Sequence, residues 1–308
     1  MNAPLSPRRP CPICGSSKIA VLQTDCHYRG RTFNGLRCDD CRCLFHDLDM
    51  TQGFEYAEDY HAYHQFRWLS PKAFVLGKKT IKACLKAGFN RGILLDVGCG
   101  AGHVMRTARL LGFQSAGFDL SSPCSVELKK KGFALYDVWD QCRRALTGKC
   151  DVVTCWHTLE HVPDPKQLIA DLVAMLKPGG TLSLEAPDPE LLFGNYRRQK
   201  IKTLAHMATF PDHIQIPPLP WVIAQLEKHG LVIKCHYVPR DGGFYAIYER
   251  LTVRPDAPEA ESPFAQDPPP LKQALAFFAS FLLEPLACFV SVPVSYHIVA
   301  QKPLTARA

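Results

Sequence analysis

Residues 94 to 104 read Leu-Leu-Asp-Val-Gly-Cys-Gly-Ala-Gly-His-Val, and no other stretch restricts the fold as tightly. Ile93, Leu94, Leu95 and Val97 form a short apolar run suited to a fully buried strand. Gly98, Gly100 and Gly102 then turn the chain sharply, and Val104 to Leu111 continues at helical spacing. A strand, a glycine turn and a helix together present backbone N–H groups to a nucleotide-like ligand. A glycine leaves the ligand room against the backbone and permits positive φ.

The unit is that of a Rossmann-type sheet, and the spacing narrows the ligand. A dinucleotide fingerprint needs G-x-G-x-x-G, whose third glycine lets the helix pack on the strand. Here the third glycine comes one residue early, and His103 holds the dinucleotide position. Asp96, just before the turn, would repel a pyrophosphate and suits a cation. The arrangement resembles the first motif of class I S-adenosylmethionine-dependent methyltransferases, whose acid before the glycines lies near the sulfonium and amino end of the cofactor. Ser115 to Phe118 reads as the next strand, with Asp119 at its end. In Rossmann folds an acid there binds a ribose hydroxyl pair. The plain alternative is a tight turn, with Asp119 capping a helix at 121.

The resemblance continues downstream. Cys150 to His157 looks like the family's fourth strand, and Thr158-Leu-Glu160-His161-Val-Pro-Asp-Pro165 resembles the stretch that follows it in small-molecule methyltransferases. Leu176-Lys-Pro-Gly-Gly-Thr-Leu182 resembles the turn into the fifth strand; its proline is expected to end a helix and its glycine to supply a left-handed cap. Phe210-Pro-Asp-His213-Ile is similar to a later family stretch, with Pro211-Asp212 in place of the usual residues. The match runs from about residue 91 to 250 and resumes at the C-terminus, where Val294 to Val299 reads as a last, antiparallel strand.

The expected fold is therefore α/β, a Rossmann-like, mostly parallel seven-stranded sheet with helices on both faces. The resemblance implies S-adenosyl-L-methionine as cofactor, held by Asp96, Gly98, Cys99, Gly100, Gly102, Asp119 and His157. His161 first and His213 second are the expected general bases, needed only if the acceptor is a hydroxyl or an acidic carbon. Glu160 and His161 could equally brace the loop.

A second module precedes the sheet. Cys11-Pro-Ile-Cys14-Gly and Cys38-Asp-Asp-Cys41 are two C-x-x-C knuckles, which read as a four-thiolate zinc site in a small ribbon, residues 1–48. Cys26, His27, Cys43 and His46 compete for ligand places. So small a ribbon cannot bury an adequate core alone, so the Zn2+ is expected to be structural and to supply much of its folding energy.

Residues 49–90 are expected to be a linker and helical lid. Tyr56, Tyr60, Tyr63 and His64 recur on one helix face, and related methyltransferases place such a helix over the cofactor, which makes Tyr60 a further cofactor residue. Phe74 to Ala87 reads as an amphipathic helix. The methyltransferase domain spans 91–308, including a proline-rich loop at 254–270 and an apolar helix at 271–292. Glu284-Pro285 interrupts that helix, which argues against a transmembrane span. The expectation is a helix packed on the sheet, with an interfacial membrane or dimerisation helix as the alternative.

Apolar content of 47% suits a globular protein, and fourteen cysteines without an apolar leader indicate a reducing, cytoplasmic compartment. The net charge of +7 leaves room for an anionic substrate. In the ribbon, Arg29, Arg31 and Arg37 are offset by Asp25, Asp39 and Asp40, which argues against nucleic acid. The expected acceptor is a small molecule such as a sugar, polyketide or quinone-like intermediate. The rivals are an RNA methyltransferase using the ribbon as a clamp and a non-catalytic cofactor-binding module.

Overall fold

The computed structural model describes residues 9–28, 31–48, 76–80, 82, 91–120, 126, 128–198, 212–239, 275, 279, 282 and 294–304. The chain divides into two compact units. One comprises Met1–Glu55, Val153–Tyr237 and Val294–Ala308; the other comprises Tyr56–Val152 and Val238–Pro293.

In the first unit, β1 (Ile19–Tyr28) and β2 (Arg31–Cys38) form an antiparallel hairpin registered from Ile19↔Cys38 to Tyr28↔Arg31. The short β3 (Leu44–His46) pairs with β2. Successive strand residues face opposite ways, yet Leu44, Phe45 and His46 are all buried, so both faces of this sheet are covered. On one face Ile13, Ile19, Leu36 and Phe45 pack with Trp221; on the other Cys26, Phe33 and Leu44 pack with Leu192 and Ile216. The covering residues come from far downstream, so the N-terminal segment shares its core with the rest of the unit.

The second unit holds β4 (Gly92–Val97), α1 (His103–Leu110), β5 (Phe113–Phe118), β6 (Ala134–Tyr136) and α2 (Trp139–Leu146). β4 is parallel to β5, which is parallel to β6, with Asp96 opposite Gly117. Leu94 to Val97 are buried, as the apolar run requires. The Asp151 carboxylate accepts from Ile93 N–H (2.7 Å) and ties down the start of β4.

β7 (Cys150–Trp156) is followed by a short 3₁₀ turn at Leu159–His161 and then α3 (Pro165–Met175), N-capped by Asp164 through Gln167 N–H. β8 (Leu176–Pro187) leads to α4 (Pro189–Arg197), capped by Asp188. Both helices carry the capping acid and the first-turn proline that favour an N-terminus. β9 (Gln215–Ile216), α5 (Leu219–Lys228), β10 (Val232–Tyr237) and β11 (Ser295–Gln301) complete the described elements. β9 joins the N-terminal sheet as its fourth strand, with Leu44 opposite Ile216.

The large sheet has the expected seven strands, ordered β10-β11-β8-β7-β4-β5-β6. The final strand β11 runs antiparallel to both β8 and β10, as anticipated. One local expectation is corrected. Gly179 is left-handed (φ +81°) but does not cap α3. The helix already ends in extended backbone at Leu176, and Gly179 lies within β8, donating its N–H to Lys302 O (2.9 Å). A Cβ there would meet Leu304 at 2.8 Å, so the glycine serves the return of the C-terminal strand.

The aromatic segment with Tyr60, the loop 254–270 and most of 271–292 lie outside the described residues; residues 275, 279 and 282 are helical, as are 76–80 and 82. Among the described residues no helix is long and apolar enough to cross a membrane.

Candidate functional site

Three clusters hold the chemistry-bearing residues. The first is the glycine turn in the second unit. Gly98, Gly100 and Gly102 all have positive φ (78°, 47° and 72°), a conformation that side chains resist. Gly98 and Cys99 N–H both donate to Phe118 O, at 2.8 and 3.1 Å. Gly100 N–H donates to Asp119 Oδ2 at 2.7 Å. Asp119 thus braces the turn from the end of β5. Asp96, buried at the end of β4, brings a second carboxylate to the same turn. Sequence reading missed the residue that lets α1 pack so closely. It is Gly117: a Cβ there would lie 2.5 Å from Met105 Sδ and 2.8 Å from Cys99 Sγ. The role of the third dinucleotide glycine has moved from the turn to the neighbouring strand.

The second cluster follows β7 in the first unit. His157 leaves the strand with φ +53°, unusual for a residue with a side chain. Its Nε2 lies 3.1 Å from Glu185 Oε1 and its Nδ1 lies 3.4 Å from Glu160 Oε1. Crowding by protein opposes its charge, but the two carboxylates outweigh that and raise its pKa to about 9. His157 is therefore cationic at neutral pH. Glu160 is fully buried, which disfavours its charged form, yet His157, His213 and His161 hold its pKa down to about 2.

His161 and His213, the two expected bases, meet here edge to face with ring centroids 4.7 Å apart. His161 Nδ1 lies 2.9 Å from Asp212 O. A carbonyl only accepts, so Nδ1 carries the proton and Nε2 the lone pair. Ile214 N–H donates to Glu160 O (2.9 Å), and Gln215 Nε2 donates to Val162 O (2.9 Å), lacing the two segments together. Behind His157, Glu185 Oε2 lies 2.8 Å from His297 Nδ1, and Ser183 Oγ lies 2.9 Å from His297 Nε2. Neither Glu185 nor His297 was singled out from the sequence. The available signal was an ionisable residue within each of two apolar strands.

The third cluster is the cysteine module. The sulfurs of Cys11, Cys14, Cys38 and Cys41 all lie within 4.8 Å of one another. Cys11 and Cys41 are 3.5 Å apart, and Cys14 and Cys38 are 3.6 Å apart. Both knuckles are tight turns closed by Gly15 N–H to Cys11 O and Arg42 N–H to Cys38 O. The Cys41 thiol beside it pulls Cys11 far down into the thiolate range. Of the competing residues, Cys26 is in an apolar core, His27 bonds Thr32, and His46 accepts from Leu48 N–H. Cys43 is buried in the same cluster as Cys11 and Cys38, beside Cys11, and its thiol donates to Leu44 O at 3.4 Å.

A family comparison now bears on these arrangements. Residues 68–236, more than half the chain, match the methyltransferase domain family. The chain belongs to that family. It is 33% identical over 124 residues to a ubiquinone biosynthesis O-methyltransferase of Thiobacillus denitrificans, a match covering 38% of this chain and 47% of the relative. The chain thus spans about half the length of that relative. The same-named protein of Colwellia psychrerythraea is 31% identical over 173 residues, covering 51% and 69% respectively. A solved mycolic acid cyclopropane synthase superimposes with a TM-score of 0.50 at 15% identity, covering 73% of this chain and 83% of that one. The last likeness concerns the fold.

Proposed function

We propose that the chain is an S-adenosylmethionine-dependent methyltransferase acting on a hydroxyl of a small, quinone-like molecule. The observation that carries the reading is the left-handed triple-glycine turn, braced through Gly100 N–H by Asp119 and flanked by the buried Asp96. That turn is left-handed at all three glycines and leaves two acids beside it, which suits a cationic cofactor bearing ribose hydroxyls. Gly98, Cys99, Gly100 and Gly102 would supply backbone contacts, Asp119 the ribose contact and Asp96 the contact to the positive end. When bound, the cofactor supplies an electrophilic methyl group; what the protein adds is alignment of the acceptor and exclusion of water.

His161 and His213 are the groups for the acceptor's proton. His157 is unsuited to that task, because at about 9 its pKa leaves it already protonated at neutral pH. His157 instead offers a fixed positive charge at the end of β7, where ligands gather in open α/β sheets. The quinone-like acceptor follows the relatives' names and is consistent with the histidine-rich cluster. Calorimetric binding of S-adenosylmethionine, followed by mass analysis of catechol and quinol acceptors incubated with the protein, tests the reading. Cofactor binding with no methylated product from any hydroxyl acceptor would refute the acceptor class and leave the cofactor reading standing.

The cysteine module is read as a structural zinc ribbon. Zn–S bonds of ~2.3 Å in a tetrahedron place sulfurs ~3.8 Å apart, close to the observed pairs at 3.5 and 3.6 Å. Four thiolates leave no open position, so the ion would hold Cys11, Cys14, Cys38 and Cys41 without entering the chemistry. Cytoplasmic placement is supported by the described cysteines, which are all outside disulfides.

A further inference from the structure

A row of polar residues crosses the large sheet from one strand to the next. Tyr237 of β10 stands opposite His297 of β11, and His297 stands opposite Glu185 of β8. Just past the end of β7, His157 donates its backbone N–H to Glu185 O at 2.8 Å. Directly opposite residues on paired strands share a face, so the register itself gathers these side chains. Glu185 and His297 are both buried. A buried ionisable pair gives a fold little that apolar residues of the same size would not, which points to a role other than packing.

The hydrogen bonds along this row run one way. Trp156 Nε1 donates to Ser183 Oγ (3.1 Å), Ser183 Oγ lies 2.9 Å from His297 Nε2, and His297 Nδ1 lies 2.8 Å from Glu185 Oε2. An indole N–H only donates and a carboxylate only accepts, so the protons all point toward Glu185. Tyr237 stacks on His297, with centroids 4.9 Å apart and planes 14° from parallel. Ser183, His297 and Glu185 have the order of a hydrolytic triad, but Ser183 is fully buried and its oxygen accepts from the indole, so no substrate reaches it. The open end of the chain is the half-exposed His157, whose Nε2 lies 3.1 Å from Glu185 Oε1.

Successive side chains of a strand alternate between faces. Trp156 and His157 nevertheless bond Ser183 and Glu185, which are two residues apart and share a face. The left-handed backbone of His157 (φ +53°) breaks the alternation and brings its ring to Glu185. Such a conformation persists only where its surroundings hold it, and Glu185 holds it twice, through its carbonyl and its carboxylate. The other ring nitrogen lies 3.4 Å from Glu160 Oε1, within the Leu159–His161 turn. Both nitrogens face carboxylates, so both carry protons and the ring is cationic.

We propose that Glu185 and His297 are positioning residues, which clamp His157 in its left-handed conformation and so set the turn that carries His161 at the acceptor site. The bearing on the acceptor rests on the methyltransferase reading; the clamp does not. Among the described residues, the titratable groups facing His157 are Glu185 from β8 and Glu160 from the turn. His297 of β11 faces Glu185, while His213, ahead of β9, and His161 face Glu160. Burial opposes the charge on His157, but its bonds to Glu160 and Glu185 raise its pKa to about 9. The ordinary value is ~6.5, so the clamp is fully formed below ~6.5 and is lost as pH rises through about 9.

The test is a pH titration of the histidine ring signals of the full chain by nuclear magnetic resonance, with His157 assigned by the signal lost in His157→Gln. The proposal expects His157 to titrate at about 9 in the wild type and at least tenfold more readily lose its proton in Glu185→Gln. A smaller change in the same direction is expected in His297→Phe, which keeps a ring against Tyr237 but removes the donor to Glu185. Turnover of a catechol acceptor at neutral pH should fall at least tenfold in Glu185→Gln with the S-adenosylmethionine Kd within twofold, and the alkaline limb of the pH–rate profile should move down with the His157 signal. Circular dichroism identifies a variant that fails to fold; if Glu185→Gln does, His297→Phe carries the comparison. A wild-type His157 that titrates at the ordinary ~6.5, or a signal unmoved in folded Glu185→Gln, overturns the clamp. Unchanged kcat and an unchanged alkaline limb in folded Glu185→Gln overturn the positioning role, because a part in stability alone moves neither. A wild-type chain that methylates no acceptor strikes the methyltransferase reading, and the titration still decides the clamp.

Discussion

Gly117→Ala isolates the packing of α1 on β5. Gly117 sits mid-strand in ordinary backbone, so the added methyl costs nothing in conformation. Its cost is steric: the new carbon would stand 2.5 Å from Met105 Sδ, 2.8 Å from Cys99 Sγ and 3.0 Å from Leu135 Cδ1. Ordinary contacts between such atoms are ~3.5–4.0 Å, so three neighbours must retreat together. Met105 is flexible but fully buried, and Cys99 is fixed in the glycine turn by its N–H bond to Phe118 O. Overpacking of this kind costs ~1–3 kcal/mol. Gly102→Ala adds a second cost to a similar clash. Its methyl would lie 2.6 Å from Leu128 Cδ2, and its φ of +72° adds ~1–2 kcal/mol for a left-handed residue with a side chain, for a total of ~2–5 kcal/mol. Urea unfolding measures both, with Trp139, stacked edge-on against Phe118 at 4.7 Å, as a local fluorescence probe. The expected result is a lowered midpoint at unchanged slope for both variants, with Gly102→Ala the lower. Wild-type stability in Gly117→Ala, or a smaller loss in Gly102→Ala than in Gly117→Ala, would refute the steric reasoning.

Three further outcomes are expected. Asp119→Ala should weaken S-adenosylmethionine binding by ~1–3 kcal/mol in calorimetry, since it removes both the brace on Gly100 N–H and a charge-assisted ligand contact. Elemental analysis of purified protein should find one zinc bound by the thiolates, and Cys11→Ser should lose it and expose residues 9–48 to protease; a metal-free protein whose N-terminal segment resists cleavage contradicts the ribbon. His161→Ala and His213→Ala should each lower turnover by ~10²–10⁴ while the cofactor dissociation constant stays within twofold, and full activity in both would leave positioning as the whole mechanism.

The strand–turn–helix unit was legible because its signals are local. An apolar run, glycines at fixed spacing and an apolar helical stripe each report on a few adjacent residues. The two knuckles were legible for the same reason, and the structure gathers the four expected sulfurs, with Cys43 buried beside them. What escaped was non-local. Gln215–Ile216 is too short for any periodicity, yet it completes the N-terminal sheet. Glu185 and His297 lie far apart in the chain and meet only because β8 pairs with β11. Gly117 looks unremarkable in sequence, because the atoms that forbid its side chain belong to Met105 and Cys99. The bases named from sequence do converge, but beside them lies the buried Glu160, which their separate motifs did not connect to His213.

The central claim is that the glycine turn binds S-adenosylmethionine. Isothermal titration of wild-type protein with that cofactor measures it directly, with Gly100→Val as the comparison, because a branched side chain would fill the space beside a left-handed residue whose N–H meets Asp119. The account predicts one cofactor molecule per wild-type chain in the micromolar range and none in the variant. Folded wild-type protein that gives no heat, or a Gly100→Val variant that binds as tightly as the wild type, would contradict it.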